Sequence, residues 1–269
     1  MYEPWYLEGI SDLPITFLGD AKTVDLEYLK EGEQKENLCG PFAAAYILRA
    51  LGFRQHGGNF VDQEYVAYLA STRVNMGEGR LYKYPLAETT SPAELGTSAA
   101  GMKHAIETIS EGRLVALPVK TTDRSLGPLL DRERLEVLIR VFANIGDVQL
   151  IFNLNTKHLL EGPDLNRRLL ALEGDINLSR LGLRRRDGVG HFVSCAGFVR
   201  AKKMFFIIRE SYKKFGVQLQ PFEAILEGLN RYDGREGGIL AILPKGHEEA
   251  LVEELQGFEL SLWDNGSPF

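Results

Sequence analysis

Cysteine is scarce in this sequence: only Cys39 and Cys195 occur among 269 residues. Small secreted proteins use many more cysteines, because disulfides compensate for a core that is too small. Two thiols in a chain of this length therefore favour a reducing compartment. The N-terminal residues also lack the basic and apolar regions of a secretory signal, so we expect a cytoplasmic protein.

Excess positive charge and long apolar segments are missing as well. The formal net charge is −6, so the chain lacks the overall basic character typical of nucleic-acid-binding proteins. No apolar stretch approaches the roughly 18 residues that a membrane-spanning helix needs, and no glycine-rich phosphate-binding motif occurs. We therefore expect neither nucleic acid nor membrane as a partner, and no cofactor.

The remaining composition is that of an ordinary globular protein, with 44% hydrophobic and 25% charged residues. Apolar periodicity predicts helices over residues 42–51, 62–72, 98–110, 131–143 and 221–229. It predicts strands over residues 113–119, 148–154, 191–199, 204–211 and 238–243. The first 30 residues, 76–95 and 174–190 are predicted to be irregular, 160–172 is ambiguous between helix and loop, and the residues after Trp263 are predicted to form a loose tail.

Helices precede strands in this order, which is typical of an α+β fold with N-terminal helices packed on a mainly antiparallel sheet. Pro118 inside its predicted strand indicates an edge or an end of that sheet. We divide the chain into an N-terminal extension (1–32), a main domain (33–245) and a C-terminal tail (246–269).

Cys39 stands at the predicted start of the first helix, in the segment QKENLCGP. Unpaired N–H groups and the positive end of the helix dipole favour the thiolate, so the sulfur becomes a nucleophile near neutral pH. The side-chain amide of Gln34 and the N–H of Cys39 are the candidate donors of an oxyanion hole. The alternative is a buried structural cysteine, since free cysteine is among the most buried residue types.

His191 opens an apolar strand after a polar loop, in the segment GVGHFVSC. Pairing of Val199 with Met204 across the next hairpin places Glu210 on the same face as His191, about 7 Å or less away between Cβ atoms. A glutamate there can hold the imidazole Nδ1–H, as the orienting member of a triad does. A slip of one residue places Ser211 opposite His191 instead, so Glu210 is our candidate and Ser211 the alternative.

A basic cluster precedes the His191 strand and consists of Arg180, Arg184, Arg185 and Arg186. Such a run is most often a solvated loop. The functional interpretation is a docking patch for an acidic substrate or partner beside the active site.

Cys195 shares a strand face with His191 but lies four residues further on. At the rise of a strand the two are about 13 Å apart, which is too far for them to ligate one metal ion. We therefore expect Cys195 in the core and no metal site.

Gln34, the Cys39-Gly40-Pro41 helix start, the Gly190-His191 strand and the acidic residue after the next hairpin together resemble the papain-like C39-type cysteine peptidase superfamily. The segments EQKENLCGPF, GHFVSCAGFVR, IIRESY and DGREGGIL resemble more closely still the bacterial DUF6885-type proteins. That likeness covers roughly residues 33–244 and names no activity.

The resemblance implies a papain-like α+β fold with Cys39 as nucleophile, His191 as general base and acid, Glu210 as orienter and Gln34 in the oxyanion hole. Two positions depart from the superfamily pattern. Gln34 lies five residues before Cys39, where the pattern usually has six. Glu210 stands where Asp or Asn is usual.

These residues predict that Cys39 attacks an amide or ester, in a peptide or a small substrate, and forms an acyl-enzyme. The acyl group then passes to water in hydrolysis or to another acceptor in acyl transfer. A second hypothesis is a catalytically inactive papain-like module that binds a peptide or protein partner in the same cleft. Alkylation at pH 6 separates the two, because an ordinary thiol of pKa ~8.5 scarcely reacts there. A third hypothesis, a metal-binding protein, is disfavoured by the ligand spacing.

Overall fold

Seven antiparallel strands form the central sheet of the computed structural model, which describes residue 6 and residues 14–171, 181–201 and 203–269. In chain order they are β1 (Ile15–Phe17), β2 (Leu114–Lys120), β3 (Gln149–Asn155), β4 (Gly190–Arg200), β5 (Met204–Arg209), β6 (Val217–Pro221) and β7 (Gly238–Pro244). Their order across the sheet is β6-β5-β4-β3-β7-β2, and β1 pairs with the C-terminal end of β4. Strand β4, which carries His191, therefore lies inside the sheet.

Helices cover both faces of this sheet. They are α1 (Ala21–Lys30), α2 (Cys39–Ala50), α3 (Gln63–Leu69), α4 (Ala99–Ile109), α5 (Arg132–Ile145), α6 (Leu165–Leu170), α7 (Phe222–Asn230) and α8 (Glu248–Glu254). On one face, an apolar core packs the first four helices and α6 against the sheet. On the other face, a second core packs α5, α7 and α8 against it. Every residue of β3 is buried, and a strand buried on both sides needs a layer on each face.

Short ribbons of two strands surround the sheet among the described residues. They pair Gln55–His56 with Asn59–Phe60, Arg73–Asn75 with Ala87–Thr89, Thr122–Asp123 with Gly127–Pro128, and Leu160–Glu161 with Arg184–Arg185. The last ribbon holds part of the basic cluster in a fixed place, so these arginines are not in an irregular loop. Arg180 and residues 174–179 lie outside the described residues.

The α+β class and the mainly antiparallel sheet are confirmed. The five predicted helices correspond to α2, α3, α4, α5 and α7, and the five predicted strands to β2, β3, β4, β5 and β7. Ser98 caps α4 through a hydrogen bond from the Gly101 N–H. Pro118 indicated an edge correctly, because β2 is the last strand on its side.

The prediction that the first 30 residues are irregular is wrong, because α1 lies there. Its inner face carries carboxylates: Asp25 and Glu27 are buried. They pair with Arg209 and Arg49 of other elements, at 2.5 and 3.0 Å. The sequence pattern assigns these two carboxylates to solvent, yet they face the core beside the buried apolar residues Val24 and Tyr28.

Two other segments that the sequence predicts to be irregular or loose are also ordered. Residues 76–95 contain the strand Ala87–Thr89, and the tail after Trp263 packs against the main domain. The Trp263 ring leaves no room for a side chain at Gly238, where a Cβ would lie 2.1 Å from it. Asn265 Nδ2 donates to the Thr97 carbonyl at 2.9 Å, so the prediction of a loose tail is wrong.

Both terminal segments contribute to the cores of the main domain. Tyr28 of the predicted extension belongs to one core, and Leu251 of the predicted tail belongs to the other. In the part of the chain that the structure describes, no helix has the length and apolar character needed to cross a membrane.

Candidate active site

Cys39 is the first residue of α2, as the sequence predicts. The alanine-rich stretch that follows favours a helix, and Pro41 suits the first turn. Leu38 is the N-cap residue of α2, and its side chain accepts no hydrogen bond from the helix. The N–H groups of the first turn therefore remain available to a negative charge near the sulfur. Cys39 itself is half-buried.

Close packing fixes the start of α2 against β4. A Cβ at Gly40 would lie 2.9 Å from Met102 Sδ and 3.2 Å from the Phe192 ring. Further along the helix, Tyr46 donates a hydrogen bond to Ser194 Oγ at 2.6 Å. The cysteine is thereby held beside the strand residue that follows His191.

A β-bulge in β4 sets the register between β4 and β5. Met204 pairs with Arg200 and not with Val199, so the predicted pairing at the turn is wrong by one residue. The register then shifts between Cys195 and Gly197, and beyond this bulge the pairs are those that the sequence predicts. The bulge therefore brings the residues after β5 to the start of β4.

Two of those residues bind the imidazole of His191 at Nε2. Glu210 Oε1 lies 2.5 Å from Nε2, and Ser211 Oγ lies 2.9 Å from it. Both candidate orienters thus contact the same ring nitrogen. The expectation that Glu210 holds Nδ1 is wrong, and Nδ1 is the nitrogen left for Cys39, with which His191 also forms a hydrogen bond.

Glu210 is fully buried and held at every polar atom. Its Oε2 accepts a hydrogen bond from Arg186 Nη1 at 2.6 Å. Its carbonyl accepts one from the Tyr28 hydroxyl at 2.8 Å, and its N–H donates to the Gly216 carbonyl at 3.0 Å. The carboxylate is therefore fixed against His191 by groups distant in sequence.

These contacts shift three pKa values in directions that favour an ion pair. Burial by itself raises the pKa of Cys39, but the charge of His191 and its hydrogen bond to the sulfur outweigh burial and lower it. Burial lowers the pKa of His191, but Glu210 and Cys39 outweigh it and raise it to about 10. Burial raises the pKa of Glu210, but His191 and Arg186 outweigh it and lower it to about 2. All three directions favour the charged forms: thiolate, imidazolium and carboxylate.

Gln34 lies at the edge of this cluster. Its Nε2 donates to the Lys35 carbonyl at 3.1 Å, and its side chain hydrogen-bonds the Tyr212 hydroxyl. Its buried Oε1 has no hydrogen-bond partner among the described residues. The structure brings Cys39, His191 and Glu210 together but gives Gln34 no contact with the sulfur, so its place in an oxyanion hole stays a prediction.

Sequence reasoning missed three side chains of the site. The Tyr212 ring stacks on the His191 imidazole, with centroids 5.2 Å apart and planes 3° apart. Arg186 was noted only as a member of the basic cluster, and Tyr28 belongs to the helix that was not predicted. Tyr212 was within reach, because it follows Glu210 and Ser211 directly in the chain.

Tyr28→Phe is expected to lower the free energy of unfolding by about 1 to 2 kcal/mol, because it leaves the buried Glu210 carbonyl without its donor. The matched control is Tyr68→Phe, since that ring is 49% exposed and its loss of a hydroxyl should change stability by less than about 0.5 kcal/mol. Urea denaturation of both variants measures the difference. Equal stabilities would show that α1 does not fix Glu210 through this bond.

The second cysteine has a different environment. Cys195 is buried in the core, as predicted, and burial raises the pKa of its thiol to about 12. Within the described ranges no three His, Cys, Asp or Glu side chains are grouped in a way that could hold a metal ion. Of the two thiols, Cys39 alone therefore has an environment that favours the thiolate.

Comparison with known proteins places the chain in a family without naming an activity. No curated protein matches the sequence. The sequence model of the family of unknown function DUF6885 matches residues 18–264, a range that includes Cys39, His191 and Glu210. The chain therefore belongs to the DUF6885 family.

Proposed function

We propose that the protein is a papain-like thiol enzyme of the C39 type, which acts on an amide or ester of a peptide-like substrate through a Cys39 acyl-enzyme. Hydrolysis and acyl transfer use the same residues. The two free cysteines fit a reducing compartment, and we propose a cytoplasmic location on that ground.

One observation carries the proposal: the cysteine at the start of a buried helix hydrogen-bonds an imidazole whose Nε2 is bound by a carboxylate. This is the arrangement of a nucleophile, a base and an orienting group. A structural cysteine needs no such partners, and Cys195 has none of them, since the one hydrogen bond of its Sγ among the described residues goes to the Gly197 carbonyl, at 3.5 Å.

In the acylation step, the Cys39 thiolate attacks the carbonyl carbon, and the π electrons of the carbonyl move to its oxygen. We assign the stabilisation of this oxyanion to the Cys39 N–H and, if it releases its present contacts, to the Gln34 amide. The bond to the leaving group then breaks, and the His191 imidazolium gives its proton to the leaving amine or alkoxide. A thioester on Cys39 and a neutral imidazole remain.

In the second step, water or an amine attacks the thioester, and His191 takes the proton of the attacking group. The carbon–sulfur bond breaks, which regenerates the thiolate and the imidazolium. Glu210 stays ionised throughout and stabilises the cationic ring. The acceptor that reaches the thioester decides between hydrolysis and transfer.

Iodoacetamide is expected to alkylate Cys39 readily at pH 6, where an ordinary thiol is only about 0.3% thiolate. His191→Ala should slow this reaction at least tenfold, because the imidazolium is lost while the helix N-terminus remains. Mass spectrometry of the Cys39 peptide measures the rate, in a Cys195→Ala background.

The matched control for this experiment is His158→Ala. His158 is also a buried histidine bound to a carboxylate, with Nδ1 2.7 Å from Glu227 Oε2, but it does not contact Cys39. Its replacement should leave the alkylation rate unchanged. If His191→Ala also left the rate and its pH profile unchanged, the two residues would not be partners, and the inactive binding module would become the better hypothesis.

A further inference from the structure

A cavity of about 840 Å³ lies beside His191 and Tyr212. Its lining carries four cationic side chains in addition to the imidazole: Arg184, Arg185, Arg186 and Lys214. Among the described residues, only two carboxylates, Glu161 and Asp187, line it. The whole chain has a net charge of −6, so the excess of positive charge is local to this cavity.

The four cations differ in how far they are neutralised. Arg184 pairs with Glu161 at 2.7 Å, and Arg185 lies 3.5 Å from Glu227. Lys214 lies over the rings of Tyr212 and Phe215 and forms no ion pair among the described residues. Arg186 pairs with Glu210, so Lys214 is the one of the four cations that has no ion pair among the described residues.

Arg186 is the most specific of these groups. Its side chain is 5% exposed, and Nη1 is taken by Glu210, while Nε and Nη2 have no hydrogen-bond partner in the part of the chain that the structure describes. Nε–H and Nη2–H form one edge of the planar guanidinium, and this edge matches the two oxygens of a carboxylate. Buried N–H donors without a partner are unfavourable, so a bound carboxylate would relieve this arrangement.

A second cavity of about 360 Å³ shares Glu161, Gly162, Lys214 and Phe215 with the first. The two cavities are therefore neighbours, and the first of them is lined by His191. Two neighbouring cavities can hold successive residues of an extended chain.

We propose that these two cavities form the substrate groove, and that the groove selects a peptide carrying a carboxylate, which Arg186 binds through Nε and Nη2 while Lys214 adds positive charge at the rim. The inference rests on the proposed function, because it names the substrate class of the same site. The carboxylate is either an acidic side chain or the C-terminus of the peptide.

The test is binding to the Cys39→Ser protein, in which no turnover occurs, measured by isothermal titration calorimetry. The probes are three blocked tripeptides: Ac-Ala-Glu-Ala-NH2, its isosteric Gln counterpart, and Ac-Ala-Ala-Ala with a free C-terminus. At least one carboxylate peptide is expected to bind tenfold or more tightly than the Gln peptide, and which of the two does so identifies the source of the carboxylate. Inorganic phosphate serves as a simple anion and should bind more weakly than that peptide.

Two variants assign the binding to this groove. Arg186→Lys keeps the charge but removes the paired donors, and should abolish the preference for the carboxylate. Lys214→Gln changes an exposed residue and should weaken binding about threefold, whereas Lys22→Gln, which changes an exposed lysine on α1, should not.

Three results would overturn the proposal: equal binding of the Glu, Gln and free-C-terminus peptides, no binding by any of them, or an unchanged preference in both groove variants. Alkylation of Cys39 at pH 6 in the wild type tests the enzyme hypothesis separately.

Discussion

Cys39→Ser is expected to abolish hydrolysis and acyl transfer, with a loss of at least about 10³-fold in turnover of an activated ester such as p-nitrophenyl acetate. Removal of the nucleophile of an enzyme that works through a covalent intermediate costs on the order of 10³ to 10⁶. The imidazole lowers the pKa of the Cys39 thiol, whereas a hydroxyl at this position stays protonated because its intrinsic pKa is far higher. Serine therefore occupies the position without becoming the same nucleophile.

The fold should survive this substitution. Serine is nearly isosteric with cysteine, and Cys39 is half-buried, so we expect a change of less than about 1 kcal/mol in the free energy of unfolding. The acetyl group transferred from the ester should be found by mass spectrometry on the Cys39 peptide of the wild type. Cys195→Ala should keep the acetylation, since the buried Cys195 thiol takes no part in it.

Two results would contradict the assignment of Cys39. Full esterase activity in the Cys39→Ser variant would remove the acyl-enzyme mechanism. Acetylation of another residue at the rate seen for Cys39 would show that the thiol is not the preferred nucleophile.

Glu210→Gln is expected to lower the free energy of unfolding by about 3 kcal/mol at pH 7. The pKa of Glu210 falls from 4.5 in the unfolded chain to about 2 in the folded protein, and a shift of this size corresponds to that stabilisation. In the variant, the neutral amide leaves the His191 imidazolium and the Arg186 guanidinium buried without a counter-charge.

The same linkage fixes the sign of the pH dependence. A carboxylate whose pKa is lower in the folded protein than in the unfolded chain stabilises the fold. This stabilisation is complete above the pKa of the unfolded chain and is lost as the pH falls through the pKa of the folded protein. The difference between wild type and Glu210→Gln should therefore be largest above about pH 4.5 and should shrink towards zero near pH 2. Below that, the protonated glutamic acid and glutamine carry the same charge.

Urea denaturation at several pH values measures this difference. The matched control is Glu253→Gln, because Glu253 is exposed on α8 and its replacement should change stability by less than about 0.5 kcal/mol at any pH. A difference between wild type and Glu210→Gln that did not depend on pH would mean that Glu210 is not ionised in the folded protein. The charge arrangement proposed for the site would then be wrong.

Local signals in the sequence were sufficient to identify the elements that carry the site. The run after Cys39 favours a helix through its alanines and its proline, and period-two apolar patterning predicts the strand after His191. Ser98 and Asp131 mark helix starts because each accepts a hydrogen bond from an N–H of the first turn. Such signals act over a few residues, so one sequence is enough to read them.

The juxtaposition of His191 and Glu210 was predictable for a similar reason. The two lie on neighbouring strands of one hairpin, where side chains alternate regularly. The prediction of the contact held although the pairing at the turn was wrong by one residue. The bulge between Cys195 and Gly197 shifts the register by one residue and so cancelled that error. The local sequence pattern does not indicate this bulge.

The sequence by itself determined the α+β class, most of the helices and strands, and the choice of Cys39 and His191 as the candidate pair. Only the tertiary structure decided that α1 exists, since its buried carboxylates are stabilised by Arg49 and Arg209 from distant elements. It likewise decided that Arg186 holds Glu210 and that Tyr212 covers the imidazole. A buried charge is tolerated only where an opposite charge meets it, and that meeting depends on how the whole chain folds, which no local pattern encodes.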